Sequence, residues 1–381
     1  MGQLIRTVFR AVLLSLFAGF AQASSINTSS GWNMPDGVTE ISREVYGLHM
    51  IILWICVVIA VVVFGVMFYS LIAYRKSKGA NAAHFHENTT VEIIWTAIPL
   101  VILVLMAVPA TATLKKMYDV SEADIDVLVT GFQWRWRYEY LEEDVSFFSN
   151  LATPREQIYE TDIKSDNYLL EVDEPMVVPT GKKIRVLLTA NDVIHSWWVP
   201  DLAVKKDAIP GFVNESWFEI DEPGTYRGQC AELCGRDHGF MPIEVKAVTP
   251  EDYVAWLDSR REAAAVEAAG SDREWEMDEL MERGMATYNT YCAACHQPEG
   301  QGLPPMFPAL AGSAIATDPN SMDAHKAIVL HGKTGTAMPA FGATLSAAEI
   351  AAVITYERNA WGNDTGELVQ PSAVSALLET Q

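Results

Sequence analysis

Basic residues are scarce in this chain of 381 residues. Lys and Arg number 27 against 49 Asp and Glu, a formal net charge of −22. Nucleic acid needs a basic surface, so this balance argues against it as a partner. It suits a basic protein partner, since opposite fields steer encounter, and it equally keeps a solvated surface soluble. Cysteine is sparse too: five residues, too few for a disulfide scaffold. Four stand in two close pairs, Cys230 with Cys234 and Cys292 with Cys295, while Cys56 sits alone in an apolar run. Such spacing reads as metal or haem attachment before it reads as a framework. There is no internal repeat. The length predicts two or three domains.

Charge is absent from Leu48 to Tyr74, which predicts a transmembrane helix over about 47–74. A second apolar run, Ile93 to Leu114, predicts another over about 92–114, with Pro99 and Pro109 inside it, as membrane helices tolerate. Residues 47–115 thus read as a hairpin. A buried soluble helix is the alternative, disfavoured by length and lack of charge. Cys56 then serves as a small apolar side chain. Upstream, Arg6 and Arg10 precede an apolar run and Ala21-Gln22-Ala23, the plan of a secretory signal peptide over residues 1–23. An uncleaved anchor is the alternative, for which the run is short. Cleavage leaves 24–46 outside the cytoplasm. Arg75, Lys76 and Lys78 put the turn on the cytoplasmic side. Lys115 and Lys116 weaken that signal, and the signal peptide decides it.

Beyond Asp124 the pattern alternates. DIDVLVT, QWRWRYEY, KIRVLLTA, ESWFEI and PIEVKAV are short, β-branched or aromatic, and divided by Gly and Pro turns. This predicts an antiparallel sandwich or barrel over 120–250. Residues 251–276, rich in Ala, Glu and Arg, read as a partly helical linker. Residues 277–362 are helical around a Gly- and Pro-rich middle. The tail, 363–381, carries little pattern, and chain ends of this kind are commonly mobile.

Late in the β region lies CAELCGRDHGFM, with Cys230, Cys234, His238 and Met241 at steps of four, four and three. Upstream, DVIHSWWVP supplies His195. Thiolate, imidazole and thioether are the soft ligands copper selects. A single-copper blue site takes two His, one Cys and a weak Met, so one thiolate is left over. Two thiolates can instead bridge two copper ions, each capped by an imidazole, with Met241 and a backbone carbonyl as weak outer ligands. Sharing one electron over two metals and two sulfurs reduces rearrangement, which suits electron transfer. A Cys230–Cys234 disulfide is the alternative, and it leaves His and Met unexplained.

Cys292-Ala-Ala-Cys295-His296 is the C-x-x-C-H haem c attachment motif, with His296 placed as proximal iron ligand. A zinc half-site or redox dithiol lacks the second CxxC or the βαβ context it needs. Met338, in GKTGTAMPAFG, is favoured as the second axial ligand, with His331, Met306 and Met322 as rivals. His49, His84, His86 and His325 read as structural or solvated. Glu142, Glu143 and Asp144 read either as a docking patch for a basic surface or as a solvated loop.

GFQWRWRYEY, DVIHSWWVPDLAVKKDAIPG and GQCAELCGRDHGFMPIEV closely resemble subunit II of the haem–copper cytochrome c oxidases, from the hairpin through the sandwich. The resemblance implies a multidomain chain: a two-helix transmembrane hairpin, an all-β cupredoxin Greek-key sandwich, and an all-α class I cytochrome c. It implies a binuclear copper centre, CuA, held by His195, Cys230, Glu232 through its carbonyl, Cys234, His238 and Met241. Trp134 resembles the tryptophan that receives electrons from cytochrome c. Glu92 resembles the carboxylate at the mouth of a proton path, and is otherwise an acid favoured by a helix start. The Glu232 side chain resembles one that reaches a magnesium ion shared with the partner chain. The resemblance implies oxidase subunits I and III and a donor cytochrome c as partners. It also implies a bacterial inner membrane, with both metal modules on the periplasmic side. Oxygen reduction would then occur in subunit I, not on this chain. The alternatives are the electron-accepting subunit of a CuA nitric oxide reductase, and a copper carrier or assembly module, which a covalent haem disfavours. A quinol oxidase subunit lacks the copper ligands.

Overall fold

The computed structural model describes residues 33–79, 86–271, 273–336, 338–342 and 344–378. The signal peptide and His84 lie outside them.

Helix α1 spans Glu40–Ala73 and α2 spans Thr89–Met117, with Pro99 and Pro109 inside. Their apolar windows have mean hydropathies of 3.2 and 2.5 and are not buried within the chain. α1 starts seven residues before the expected position. Polarity hides this extension: Thr39 and Ser42 form a reciprocal capping box that lets the helix begin above the apolar run. That end is fastened to the β module. Val38 N donates to Asp201 O at 3.2 Å, Arg43 pairs with Asp221 at 2.7 Å, and the Trp217 indole donates to Lys116 O at 3.0 Å. Lys116 also pairs with Glu40 and Glu44, tying the two helices.

Ten strands follow: β1 Ile125–Phe132, β2 Arg135–Tyr140, β3 Val145–Ser149, β4 Met176–Pro179, β5 Lys183–Ala190, β6 His195–Val199, β7 Val204–Pro210, β8 Asn214–Glu219, β9 Gly224–Cys230 and β10 Pro242–Val248. The order is β3-β2-β1-β5-β7-β6-β9-β10-β4, with β8 also on β5. The all-β sandwich is as expected, but it is not purely antiparallel. β1 with β5, β5 with β7, and β4 with β10 run parallel. Alternation reports which face is buried, not strand direction, so the sequence pattern cannot distinguish the two. Val127, Val129, Trp136, Tyr138, Val186 and Trp197 fill the interior.

Residues 250–271, most of the segment read as a partly helical linker, are helical throughout. They form α3, Pro250–Ser271. Tyr253 and Leu257 are buried in the sandwich core, and Trp256 packs 5.2 Å from the Tyr140 ring. Glu143 pairs with Arg261 of this helix, so it is engaged within the chain.

The last module holds α4 Met277–Tyr291, α5 Ala293–His296, α6 Met322–His331 and α7 Ala347–Asn359. α4 and α7 cross at Gly284, where a Cβ would fall 2.2 Å from Ala352 O, so only glycine permits this approach. The described part of the tail, residues 363–378, is packed rather than loose. α8, Pro371–Leu378, buries Val374, and Gln370 exchanges two 2.9 Å hydrogen bonds with the Trp275 backbone.

Candidate metal centre and haem attachment site

β9 ends at Cys230 and β10 begins at Pro242, so the hairpin between them carries Cys234, His238 and Met241. His195 opens β6, which pairs with β9, and so reaches the same spot. The Cys230 and Cys234 sulfurs stand 3.8 Å apart and are not bonded. His195 Nδ1 lies 3.9 Å from Cys230 Sγ, and His238 Nδ1 lies 3.5 Å from Cys234 Sγ. Met241 Sδ is 3.5 Å from Cys234 Sγ, and Glu232 O is 3.4 Å from Cys230 Sγ. Each imidazole thus turns one nitrogen to one sulfur, with the two sulfurs between them. This donor set fits copper in kind and in arrangement. The two thiols titrate as a pair. Contact with Cys234 pulls the Cys230 thiol far below the ordinary range, and Cys230 pushes the Cys234 thiol up in return.

The sequence reading did not identify the groups that orient these ligands. His195 Nε2 lies 2.9 Å from Asp192 Oδ1. With Nδ1 facing sulfur, Nε2 is assigned the proton and donates it to Asp192. Burial opposes protonation of His195, but Asp192 and Cys230 outweigh it and raise its pKa. Cys234 O accepts from Gln133 Nε2 at 2.7 Å and from the Trp134 indole at 3.2 Å. Gly235, at φ +120°, lets the chain turn here, since a Cβ would meet Gln133 Nε2 at 2.9 Å. Trp136 is wholly buried, and its indole donates to Met241 O at 3.3 Å. The Glu232 side chain is exposed.

In the helical module, Cys292, Cys295 and His296 share one turn. Cys292 and His296 are buried. His296 Nδ1 lies 2.8 Å from Pro308 O, so Nδ1 donates and Nε2 is left to face a metal, which fits haem ligation. Met338 and Met322 both pack on the module's core, whereas Met306 is 73 % exposed and His331 is exposed. The Met338 loop is held by Lys333 N donating to Met338 O at 3.1 Å. His325 is buried against Glu357 at 2.7 Å, the structural place expected of it. His49 bonds Asn33 at 2.8 Å.

The modules touch beside the copper-type loop. The Arg236 guanidinium lies 5.6 Å from the Trp134 ring and 6.0 Å from the Phe307 ring, and pairs with Asp237 at 2.9 Å. Burial pushes the Cys295 thiol up, and the Arg236 charge opposes this. Glu92 stands apart, in the first turn of α2, where its carboxylate accepts from Asn88 N at 3.3 Å.

Residues 125–248 match the family described as cytochrome c oxidase subunit II, periplasmic domain, and residues 27–112 match its transmembrane domain. Residues 279–356 match the family described as cytochrome c oxidase, cbb3-type, subunit III. A probable cytochrome c oxidase subunit 2 of Rickettsia bellii is 38 % identical over 264 residues, covering 68 % of this chain and 95 % of that one. Cytochrome c oxidase subunit 2 of Cereibacter sphaeroides is 36 % identical over 269 residues, covering 66 % and 89 %. Among solved structures, the periplasmic domain of subunit II of cytochrome oxidase (CoxB) of Bradyrhizobium japonicum is 41 % identical. It covers 38 % of this chain and 98 % of that one, at a TM-score of 0.34.

Proposed function

The chain belongs to the cytochrome c oxidase subunit II family, with a cytochrome c module at its C-terminal end, and from this we propose how its two modules divide the work. The C-terminal module receives electrons from a donor cytochrome c and hands them to the sandwich module. That module passes them to an oxidase subunit I, where oxygen is reduced. When bound, the haem and a binuclear copper pair supply the two electron-holding stations.

The observation that carries this reading is the pair of sulfurs flanked by two imidazoles. Cys230 and Cys234 would hold the copper pair, capped by His195 and His238, with Met241 and the Glu232 carbonyl as outer ligands. Asp192 fixes the His195 ring, and Gln133 and Trp134 fix the Cys234 backbone. Ligand positions that barely move suit a station that only gains and loses an electron. Trp134 would receive the electron, because its indole is hydrogen-bonded to the ligand residue Cys234. Cys292 and Cys295 would bind haem covalently, with His296 and Met338 as axial ligands. The exposed Glu232 side chain would reach a magnesium ion at the subunit I boundary, and Glu92 would serve a proton path. The expected boundaries, with a signal peptide over 1–23, an outer segment over 24–46, a hairpin over 47–115, the sandwich over 120–250 and the haem module over 277–362, would put both metal modules on the periplasmic side of a bacterial inner membrane, with subunit III as a further neighbour.

Metal and haem analysis of the purified full chain tests this. The expected result is two coppers and one haem c per chain, with the near-infrared band of mixed-valence copper. One copper per chain, or a Cys230–Cys234 disulfide in the mature protein, would overturn it. Oxygen rather than nitric oxide consumption by the assembly separates the oxidase from a nitric oxide reductase. Resistance of the copper to a competing chelator separates it from a carrier.

A further inference from the structure

Arg135 opens β2, one residue after Trp134, and its side chain leaves the sandwich for the other module. Its guanidinium carbon lies 4.3 Å from the Phe148 ring and 4.5 Å from the Tyr291 ring, with Phe132 and Phe341 each at 5.9 Å. Two of these rings belong to the sandwich and two to the haem module. They also touch one another across the boundary. Phe148 and Tyr291 meet edge-on at 6.2 Å, Phe132 lies 5.3 Å from Phe148, and Tyr291 lies 6.4 Å from Phe341. Tyr291 is the residue before Cys292.

A guanidinium removed from water is costly unless paired. Burial pushes the Arg135 pKa down to about 10, so it stays charged at neutral pH. Among the described ion pairs, none involves Arg135. The four rings compensate it at close range, with the Asp192 and Asp173 charges also favouring the charged form, and arginine suits this because its flat, weakly hydrated cation stacks on aromatics as lysine does not. An apolar side chain would fill the space without that cost, so the charge itself needs an explanation. Arg236, between Trp134 and Phe307, is a second contact, and two contacts fix orientation where one would permit rotation.

We infer that Arg135 is a positioning residue: caged by rings from both modules, it holds the haem module against the Trp134 edge and sets the gap an electron crosses within the chain. This rests on the reading of the two stations given above. Electron transfer falls steeply with distance, so a small shift of one module changes the rate strongly. A nearby cation also favours the reduced, less positive haem.

The test uses the full chain carrying both cofactors. Haem is reduced by a flash-activated soluble photoreductant, and the electron's arrival at copper is followed by absorbance. Arg135→Met is expected to slow this step at least tenfold, to lower the haem midpoint potential, and to leave both absorption spectra as in the parent. Tyr291→Leu is expected to slow it similarly, while Tyr291→Phe, which keeps the ring, stays within twofold of the parent. A rate within twofold of the parent in Arg135→Met, with both spectra intact, would overturn the inference. If Arg135→Met loses either spectrum, the Tyr291 variants decide: equal rates in Leu and Phe would overturn it, and a slow Leu with a normal Phe supports it. A parent chain that lacks the copper or the haem signal instead overturns the function proposed above.

Discussion

At the scale of single residues, the soft side chains of the cysteine loop were legible because their chemistry is carried by spacing. Two thiols, an imidazole and a thioether within twelve residues leave few other readings. The side chains that aim them were not. Gln133 reaches Cys234 O from 101 residues away in the chain, and no local pattern encodes that. Asp192 was closer to view, three residues before His195, but an acid at a turn has many ordinary reasons to be there. Its role is testable. Asp192→Ala removes the acceptor that holds the His195 ring, and we expect copper affinity to fall about 10–100-fold, the usual cost of losing such a partner. Competition with a chelator, followed by the copper absorbance, measures it. Unchanged affinity would mean that β6 alone holds the ring.

Elements tell a different story. The strands and the two apolar helices were legible from period and length. Strand direction was not, nor was the packing of α3, because a helix rich in Ala, Glu and Arg looks solvated until Tyr253, Trp256 and Leu257 find a neighbour. One tie between elements makes a pH prediction. The Lys183 amide donates to Asp124 at 2.9 Å and the Lys182 ammonium at 3.0 Å, linking the start of β1 to β5. These contacts, the amide first, hold the Asp124 carboxyl below its ordinary range. Its contribution is complete above the unfolded value of about 4 and is lost as pH falls through the lower folded value. Thermal melts at descending pH should show the parent losing more of its advantage below about pH 4 than Asp124→Asn does. Parallel curves would remove Asp124 from the acid limb. The α4–α7 crossing gives a second prediction. Gly284→Ala places a methyl against Ala352 O and should destabilise the haem module by about 1–3 kcal/mol. Calorimetry of the haem-loaded chain reads this directly.

On the scale of the whole molecule, the sequence announced three modules and said nothing of how they touch. Contact between modules depends on side chains that are unremarkable in their own segments, such as Arg135 in an alternating strand or Phe307 in a turn. Charge contributes less to the hairpin junction than its ion pairs imply. Lys116, Glu40 and Arg43 are half exposed or more, and exposed pairs are worth little. Lys116→Ala should therefore change stability by less than about 1 kcal/mol in a denaturant titration of the detergent-solubilised chain. A larger loss would show that the junction depends on its charges rather than on the helix cap and the backbone bonds.

The fastening of the first helix has a further consequence. The helix runs unbroken for 34 residues, about 50 Å at 1.5 Å per residue, and its outer turn is bolted to the floor of the sandwich. A span that is both stiff and clamped acts as a pillar, not a tether. The cysteine loop is thereby held at a fixed height above the two apolar helices. If electrons leave by this loop, as proposed above, their receiver must lie close to it.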